Sequence, residues 1–427
     1  MRILWINTEL LHPIDKGGRI RTYHTLKELK RNHHITYLTL DDGTAGADAR
    51  ERAAEYCDEL ISVPHRTHAK FTTRFYADLA RNLVSPLPYF ITKYRSARMR
   101  REIGERARFG AFDVLVCDFL MSSVNVPQAD AGCATVLFQH NVEAMIRERQ
   151  YKVQTNPLKK VFLYNQWRKA HAYERAACHR FEQIIAVSPQ DADVMRSEYE
   201  VERVTDVPTG VDISYFYPSG ALRPEPRNLV FTGSMDWLPN EDAISYFTKE
   251  IMPLIKRLVP EVTLTVVGRN PFPSLVELSR RDPSVIVTGR VDDVRPFIER
   301  AAAYIVPLRV GGGTRIKIYE AMAMEKAIVS TTVGAEGLPA RDGVELLLAD
   351  TPEAFAERVV RVITDDTLAR ELGTRAASMV RERFGWDRVA ASFAEVCESA
   401  VRLRRSKKPG EGLGEITDRH VSELSVR

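Results

Sequence analysis

Two series of short apolar runs, each interleaved with longer helical patterns, restrict what this chain of 427 residues can fold into. The first series is RILWIN (2–7), HITYLTL (34–40), DVLVC (113–117), ATVLFQ (134–139) and QIIAVS (183–188). The pattern then restarts with NLVFTG (228–233), VTLTVVG (262–268), VIVTG (285–289), YIVPL (304–308), AIVST (327–331) and ELLLA (345–349). Apolar runs without polar alternation are what parallel strands buried on both faces require. Strand–helix–strand alternation winds such strands into an α/β sheet covered on both sides. The expectation is therefore two doubly wound, Rossmann-like domains. The boundaries read as 1–206 and 207–384, with VPTGVD (207–212) and PSGALRPEP as the linker. A C-terminal helix over 385–404 is free to return to the first domain, and 405–427 reads as a mobile tail, rich in Gly and Pro at its start and poor in apolar residues. The halves share architecture and no sequence repeat. Ligands of open α/β sheets bind at the carboxyl ends of the strands, so the natural site is a central cleft that both domains face.

Composition closes off other classes. Charged residues at 28% and apolar residues at 44% are those of a globular protein, which excludes disorder, collagen and coiled coil as the main architecture. A net charge of +4 does not call for nucleic acid. Five cysteines, odd in number and without a C-x-x-C pair, form neither a disulfide scaffold nor a zinc site. The reducing cytoplasm is the expected compartment. The N-terminal apolar run is too short for a signal peptide, and no apolar stretch is long enough to span a membrane.

Chemistry concentrates in RVGGGTRIKIYE (309–320), directly after the apolar run YIVPL. Three glycines contribute nothing to a core, so their use lies in bare backbone. The amides of Gly311, Gly312, Gly313 and Thr314 lead into a helix, and free N–H groups at a helix start bind anions. Arg315 and Lys317 add positive charge. Glu320, three residues after Lys317, lies near the same helix face and could accept hydrogen bonds from ribose hydroxyls. Taken alone, that Lys–Glu pair is an ordinary solvated surface pair worth about 0.2–0.5 kcal/mol. The glycine run at a strand-to-helix turn favours a site for a nucleoside diphosphate. The pattern is neither a Walker A motif nor G-x-G-x-x-G.

These residues carry a family resemblance. PLRVGGGTRIKIYEAMAMEKAIVSTTVGAEGL resembles the donor-binding segment of retaining, family-four glycosyltransferases of the GT-B fold. VPTGVD resembles that family's linker, and FTGSMDWLPNEDAI and QHNVEA resemble bacterial sugar transferases of exopolysaccharide synthesis. The resemblance spans most of residues 1–400 in layout and is weak between 45 and 110. It implies a transferase, of hexosyl type, that moves a sugar from a nucleotide-diphosphate sugar to an acceptor hydroxyl with retained configuration. The departing phosphate oxygen takes the acceptor proton, and no metal or other cofactor is called for. In the family a paired-glutamate motif holds the donor. Here only its second member, Glu320, is present, with Gly312 at the first position, so ribose binding carries over to Glu320 and the sugar contacts do not. The family also often places Arg and Lys after the second domain's first strand, against the pyrophosphate. That loop here is GSMDW, where Gly233 and Ser234 are grouped with the donor-binding residues, and Arg315 and Lys317 are the cations that could substitute. Gly17 and Gly18 resemble the family's glycine turn near the donor phosphates, although a Gly pair is also an ordinary turn.

The resemblance implies a histidine beside the transferred sugar, and His140, at the end of ATVLFQ, is its match. A histidine hydrogen-bonded at a strand end is the alternative. Glu143, three residues on, is placed to orient it. Asn240 is expected to cap a helix starting at Glu241, and Asp292 and Asp293 to open a helix rather than bind a metal. Two rival activities share this layout: a nucleotide-sugar 2-epimerase, and a catalytically silent nucleotide-sugar-binding protein. The expected partners are the nucleotide sugar, a sugar or lipid-linked acceptor, and no nucleic acid. Basic residues interleave with Phe71, Phe75, Tyr76, Leu79, Leu83, Tyr89, Phe90 and Tyr94, which suits peripheral contact with an anionic membrane surface at its inner face. An ordinary solvated helix face whose aromatics pack inward reads equally well.

Overall fold

A computed structural model describes residues 1–14, 16–68, 71–108, 110–127, 132–310 and 316–406. The apolar runs become the strands, and the helices between most of them cover the sheet faces. The first sheet holds β1 (Arg2–Asn7), β2 (His34–Asp41), β3 (Glu59–Pro64), β4 (Val114–Asp118), β5 (Ala134–Phe138), β6 (Gln183–Ala186) and β7 (Val204–Asp206). Its order is β3-β2-β1-β4-β5-β6-β7, every neighbouring pair parallel. The second sheet holds β8 (Asn228–Thr232), β9 (Thr263–Val267), β10 (Val285–Gly289), β11 (Ala303–Val306), β12 (Ile328–Ser330) and β13 (Leu347–Leu348), in the order β10-β9-β8-β11-β12-β13, again all parallel.

In both sheets the order reverses beside the first strand of the series, at β1/β4 and at β8/β11. At such a reversal the flanking connections leave in opposite directions, and a crevice opens at the carboxyl ends of the two strands. The central strands are buried on both faces: Ile3, Leu4, Trp5 and Ile6 of β1 and Leu229, Val230 and Phe231 of β8 have no exposed surface. Burying each such large side chain is worth about 1.5–3 kcal/mol. β3 and β7 escaped the sequence reading because neither carries a continuous buried apolar run. ELISVP is only partly buried, and β7 spans three residues, two of them exposed.

The chain divides into two compact units, one formed by Met1–Ala186, Asp191–Val207 and the segment from Ala390, the other by Val187–Gln190 and Pro208–Val389. Helices Pro352–Thr364 and Asp366–Arg383 belong to the second unit, and their starts are capped by Thr351 and Asp365. Such a cap is worth about 1 kcal/mol. Helix Trp386–Ser406 begins in the second unit and joins the first from Ala390. There Phe393 stacks on Trp5 at 5.3 Å and meets Phe138 edge-on at 5.0 Å. Arg404 pairs with buried Glu182 at 3.1 Å. Apart from Arg405 and Ser406, which end this helix, the expected tail lies outside the described residues.

Candidate functional site

In the first unit, polar side chains gather where β1, β4 and β5 end. Asp118 closes β4 and is fully buried. Its Oδ2 accepts from Trp5 Nε1 at 3.0 Å, Asn7 Nδ2 at 2.7 Å and Thr22 Oγ1 at 2.7 Å. Its Oδ1 lies 2.6 Å from His140 Nε2, and the other ring nitrogen, Nδ1, lies 3.0 Å from Arg21 Nη1. A guanidinium only donates, so Nδ1 accepts and Nε2 carries the proton given to Asp118. Burial pushes the His140 pKa down to about 4, against the pull of Asp118 and helped by Arg21. The imidazole is therefore neutral at pH 7, only 2% exposed, with both nitrogens engaged.

His140 also stacks on Phe119 at 3.7 Å and 16°. Phe119 has φ of 65°, a left-handed conformation uncommon for a bulky residue. It fits only because Gly18 has no side chain: a Cβ there would stand 2.6 Å from Phe119 Cζ. Gly17 and Gly18 thus open helix Gly17–Leu29, inside its first turn rather than in a loop before it. Glu143 does not orient His140. Its carboxylate accepts from Arg147 Nη2, one turn further along its own helix, at 3.2 Å, and Asp118 takes the orienting position instead. Asp118 was missed because the run was read as ending at Cys117; an acid directly after a buried central strand was the available signal. The loop that carries His140 is pinned from below by fully buried Glu174, which accepts from Gln139 Nε2 at 3.0 Å and from the amides of Glu143 and Ala144 at 3.0 and 2.8 Å. Burial pushes the Glu174 carboxyl up to about 8.

In the second unit, the cluster forms at the β8/β11 reversal. Gly311, Gly312, Gly313, Thr314 and Arg315 lie outside the described residues. Lys317 and Glu320 lie on the helix that follows, Ile316–Ala323. Lys317 reaches across to the end of β8, donating to the Thr232 carbonyl at 3.2 Å and to Asn240 Oδ1 at 2.9 Å, with Nζ 4.0 Å from the centre of the Phe231 ring. Gly233 makes room for it: a Cβ there would meet Asn240 Nδ2 at 2.7 Å and Lys317 Nζ at 3.3 Å. Ser234 Oγ bonds Asp236 and accepts from Arg269 Nε at 2.8 Å. Arg269, just past β9, is a second cation at this strand edge that the sequence reading passed over. Asn240 is not the expected cap. Helix Leu238–Tyr246 begins two residues before it, and its buried side chain bridges Lys317 and the Ser234 carbonyl. Asp293 accepts from the Arg295 amide at 2.9 Å, at the start of helix Arg295–Arg300.

Glu320 is partly exposed, and its carboxyl has neither hydrogen bond nor ion pair among the described residues. Its enclosed surroundings push its carboxyl up to about 7, with Lys317 pulling the other way. Beside it, Tyr304 of β11 shares a 2.5 Å hydrogen bond with Thr232 of β8, which ties the two switch-point strands together. Among the described residues no helix is long and apolar enough to cross a membrane.

Two doubly wound parallel sheets, each with polar side chains collected at its switch point, define the GT-B class of nucleotide-sugar enzymes. A family model for glycosyl transferases group 1 matches residues 226–365, and one for glycosyltransferase family 4 matches residues 16–215. The chain belongs to this family of glycosyltransferases. An uncharacterized 44.6 kDa protein in the cps region of Klebsiella pneumoniae is 18% identical over 402 residues, covering 92% of this chain and 98% of that one. Among solved structures, sucrose-phosphate synthase from Thermosynechococcus elongatus superposes with a TM-score of 0.69 at 17% identity, over 95% of this chain and all (100%) of that one. HepE from Anabaena, in complex with UDP, gives 0.65 at 14%, over 93% of this chain and 100% of that one.

Proposed function

We propose that the protein is a retaining, metal-independent glycosyltransferase that passes a sugar from a nucleotide-diphosphate sugar to an acceptor hydroxyl in exopolysaccharide or glycolipid synthesis. The observation that carries this reading is Lys317, held at the end of β8 with Glu320 one turn behind it on the same helix. The bond from the anomeric carbon to the phosphate oxygen breaks, and a bond to the acceptor oxygen forms on the same face. The departing phosphate oxygen takes the acceptor's proton. Charge gathers on the leaving diphosphate, where Lys317, Arg315 and the amides of the glycine run stabilise it. One preorganised donor of this kind is worth about 3 kcal/mol in the transition state. Glu320 accepts from the ribose hydroxyls. The HepE complex with UDP and the Klebsiella relative's cps setting support a nucleotide diphosphate and a polysaccharide pathway.

For His140 the reading requires its bond with Arg21 to open. Nδ1 then becomes the ring atom able to meet a sugar hydroxyl, while Asp118 keeps the proton on Nε2. We also propose that the enzyme works on the cytoplasmic side of an anionic membrane, through helix Thr73–Leu83. Phe71, Tyr76, Leu83 and Val84 are exposed there beside exposed Arg74 and Arg81, whereas Phe75, Tyr89, Phe90 and Tyr94 are partly buried.

Incubation with a panel of nucleotide sugars tests the activity. A transferase releases nucleotide diphosphate slowly by hydrolysis and faster with acceptor. Interconversion of sugar isomers would mark an epimerase, and neither reaction would mark a silent binder. Cosedimentation with anionic and neutral vesicles at rising salt tests the membrane contact, which low-salt failure to bind either would sink.

A further inference from the structure

The loop leaving β3 and the helices Thr73–Leu83 and Tyr89–Thr92 border an open cavity of about 320 Å³ in the first unit. The donor chemistry above makes no use of it. Arg66, Arg81 and Lys93 line it, against a single lining carboxylate, Asp78. That carboxylate is already engaged, by His68 Nδ1 at 2.6 Å and Arg81 Nη1 at 3.5 Å. Arg66 and Lys93 pair with no carboxylate among the described residues. The lining therefore carries an excess of positive charge, together with the hydroxyls of Ser85 and Thr92.

The walls are built rather than loose. Asn82, 3% exposed, accepts from Gln166 Nε2 at 2.9 Å and donates to the Leu87 carbonyl at 2.9 Å. Gln166 Oε1 accepts the Tyr89 amide at 2.7 Å, and Lys169 Nζ donates to the Asn82 carbonyl at 2.8 Å. His65 Nε2 lies 2.7 Å from the Lys93 carbonyl and joins the loop to the second helix. These bonds fix the backbone from which the exposed side chains of Arg66, Arg81 and Lys93 extend, so an oxyanion meets their charge on a set frame.

The position gives the anion a role. The loop starts at the carboxyl end of β3, the same sheet edge that carries Asp118 on β4, and the order β3-β2-β1-β4 separates them by three strand spacings. At ~4.8 Å per spacing that is about 14 Å. A molecule reaching from this pocket to the Asp118–His140 cluster would therefore be an extended one, with an anion at one end and its reacting hydroxyl at the other.

We propose that this cavity is an oxyanion subsite for the phosphate or diphosphate of the acceptor. The anion pocket stands on the cavity itself, and its assignment to the acceptor rests on the glycosyltransferase reading. A phosphorylated soluble sugar and a phosphate-bearing lipid headgroup present the same chemistry there.

The test uses the full chain, with inorganic pyrophosphate as probe and Lys93 as reporter. Lysines are acetylated with acetic anhydride, and Lys93 modification is read by mass spectrometry. Saturating pyrophosphate is expected to lower Lys93 labelling several-fold, and the R66A/R81A variant to lose that protection. Both replaced side chains are on the surface, and R81Q alone serves if the double variant does not fold. Labelling of Lys93 unchanged by pyrophosphate, or protection that survives in the variants, overturns the proposal. Glucose 1-phosphate and vesicles of phosphatidic acid in phosphatidylcholine separate the sources. Protection by the vesicles assigns a headgroup, and protection by the soluble phosphates alone assigns a soluble acceptor. Hydrolysis of nucleotide sugars by the wild-type chain tests the transferase reading on its own, so failure of one is told apart from failure of the other.

Discussion

Glu320→Gln should remove a pH dependence from donor binding that the wild-type protein displays. In the fold the Glu320 carboxyl titrates at about 7, because its enclosed surroundings disfavour the charged form more than Lys317 favours it. A carboxylate accepts from both ribose hydroxyls, whereas the protonated acid must give up an acceptor position. If only the ionised form binds well, affinity follows the ionised fraction, about one in eleven at pH 6 and ten in eleven at pH 8. Donor Kd should therefore tighten about tenfold from pH 6 to pH 8, equivalent to about 1.4 kcal/mol. At pH 8 the amide should bind about 10–150-fold more weakly than the carboxylate, the range expected on losing a charged hydrogen-bond acceptor worth about 1.5–3 kcal/mol. Calorimetry with a nucleotide-diphosphate sugar is the assay, because its phosphodiesters do not titrate in this range. In the free protein the same shift acts on stability. A carboxyl raised from 4.5 to about 7 on folding keeps a proton that the unfolded chain has released. This contribution to stability is present below that window and lost as pH rises through it, and the thermal midpoint should move accordingly, less so in the Gln variant. A wild-type affinity flat between pH 6 and pH 8, or the same slope in both proteins, would refute the reasoning.

Gly268→Ala should lower stability by more than the usual 1–3 kcal/mol of an overpacked core. The new Cβ would overlap the Gly233 carbonyl oxygen and stand 2.8 Å from its carbon, so backbone must move; an unchanged urea midpoint would count against this packing. His140→Ala should reduce turnover far more than donor affinity, and Asp118→Asn should do so in the same direction by releasing the ring; equal loss of kcat and affinity in both would make the pair structural. Transfer should persist in EDTA, since Lys317, Arg315 and the glycine-run amides are read as neutralising the diphosphate. Activity abolished by EDTA and restored by magnesium or manganese would overturn that.

Periodicity was enough to locate the central strands, because a strand buried on both faces leaves no polar positions in its own sequence. It found VIVTG and ELLLA at the edges of the second sheet and missed both edge strands of the first. Glu59–Pro64 presents a mixed face to solvent, and its pattern resembles any half-exposed segment. Local chemistry pointed to Lys317 and Glu320 from their spacing behind a glycine run, and to His140 from its place at a strand end. What each meets was not legible, since the partners come from distant parts of the chain. Asp118, 22 residues before His140, orients it, and Asn240, 77 residues before Lys317, receives it.

The chain's own sequence determined that there are two parallel sheets and where their inner strands run, and it singled out the glycine-run segment proposed to meet a diphosphate. These are local properties, written in the alternation of apolar runs, helices and glycines. Tertiary structure alone decided that Glu143 faces Arg147 and leaves His140 to Asp118, and that Gly18 yields its space to Phe119. It also decided that the last helix belongs from Ala390 onward with the first sheet, where Phe393 finds Trp5. Burial pairs side chains by distance in space, and hundreds of residues of chain can separate two groups that share one hydrophobic contact.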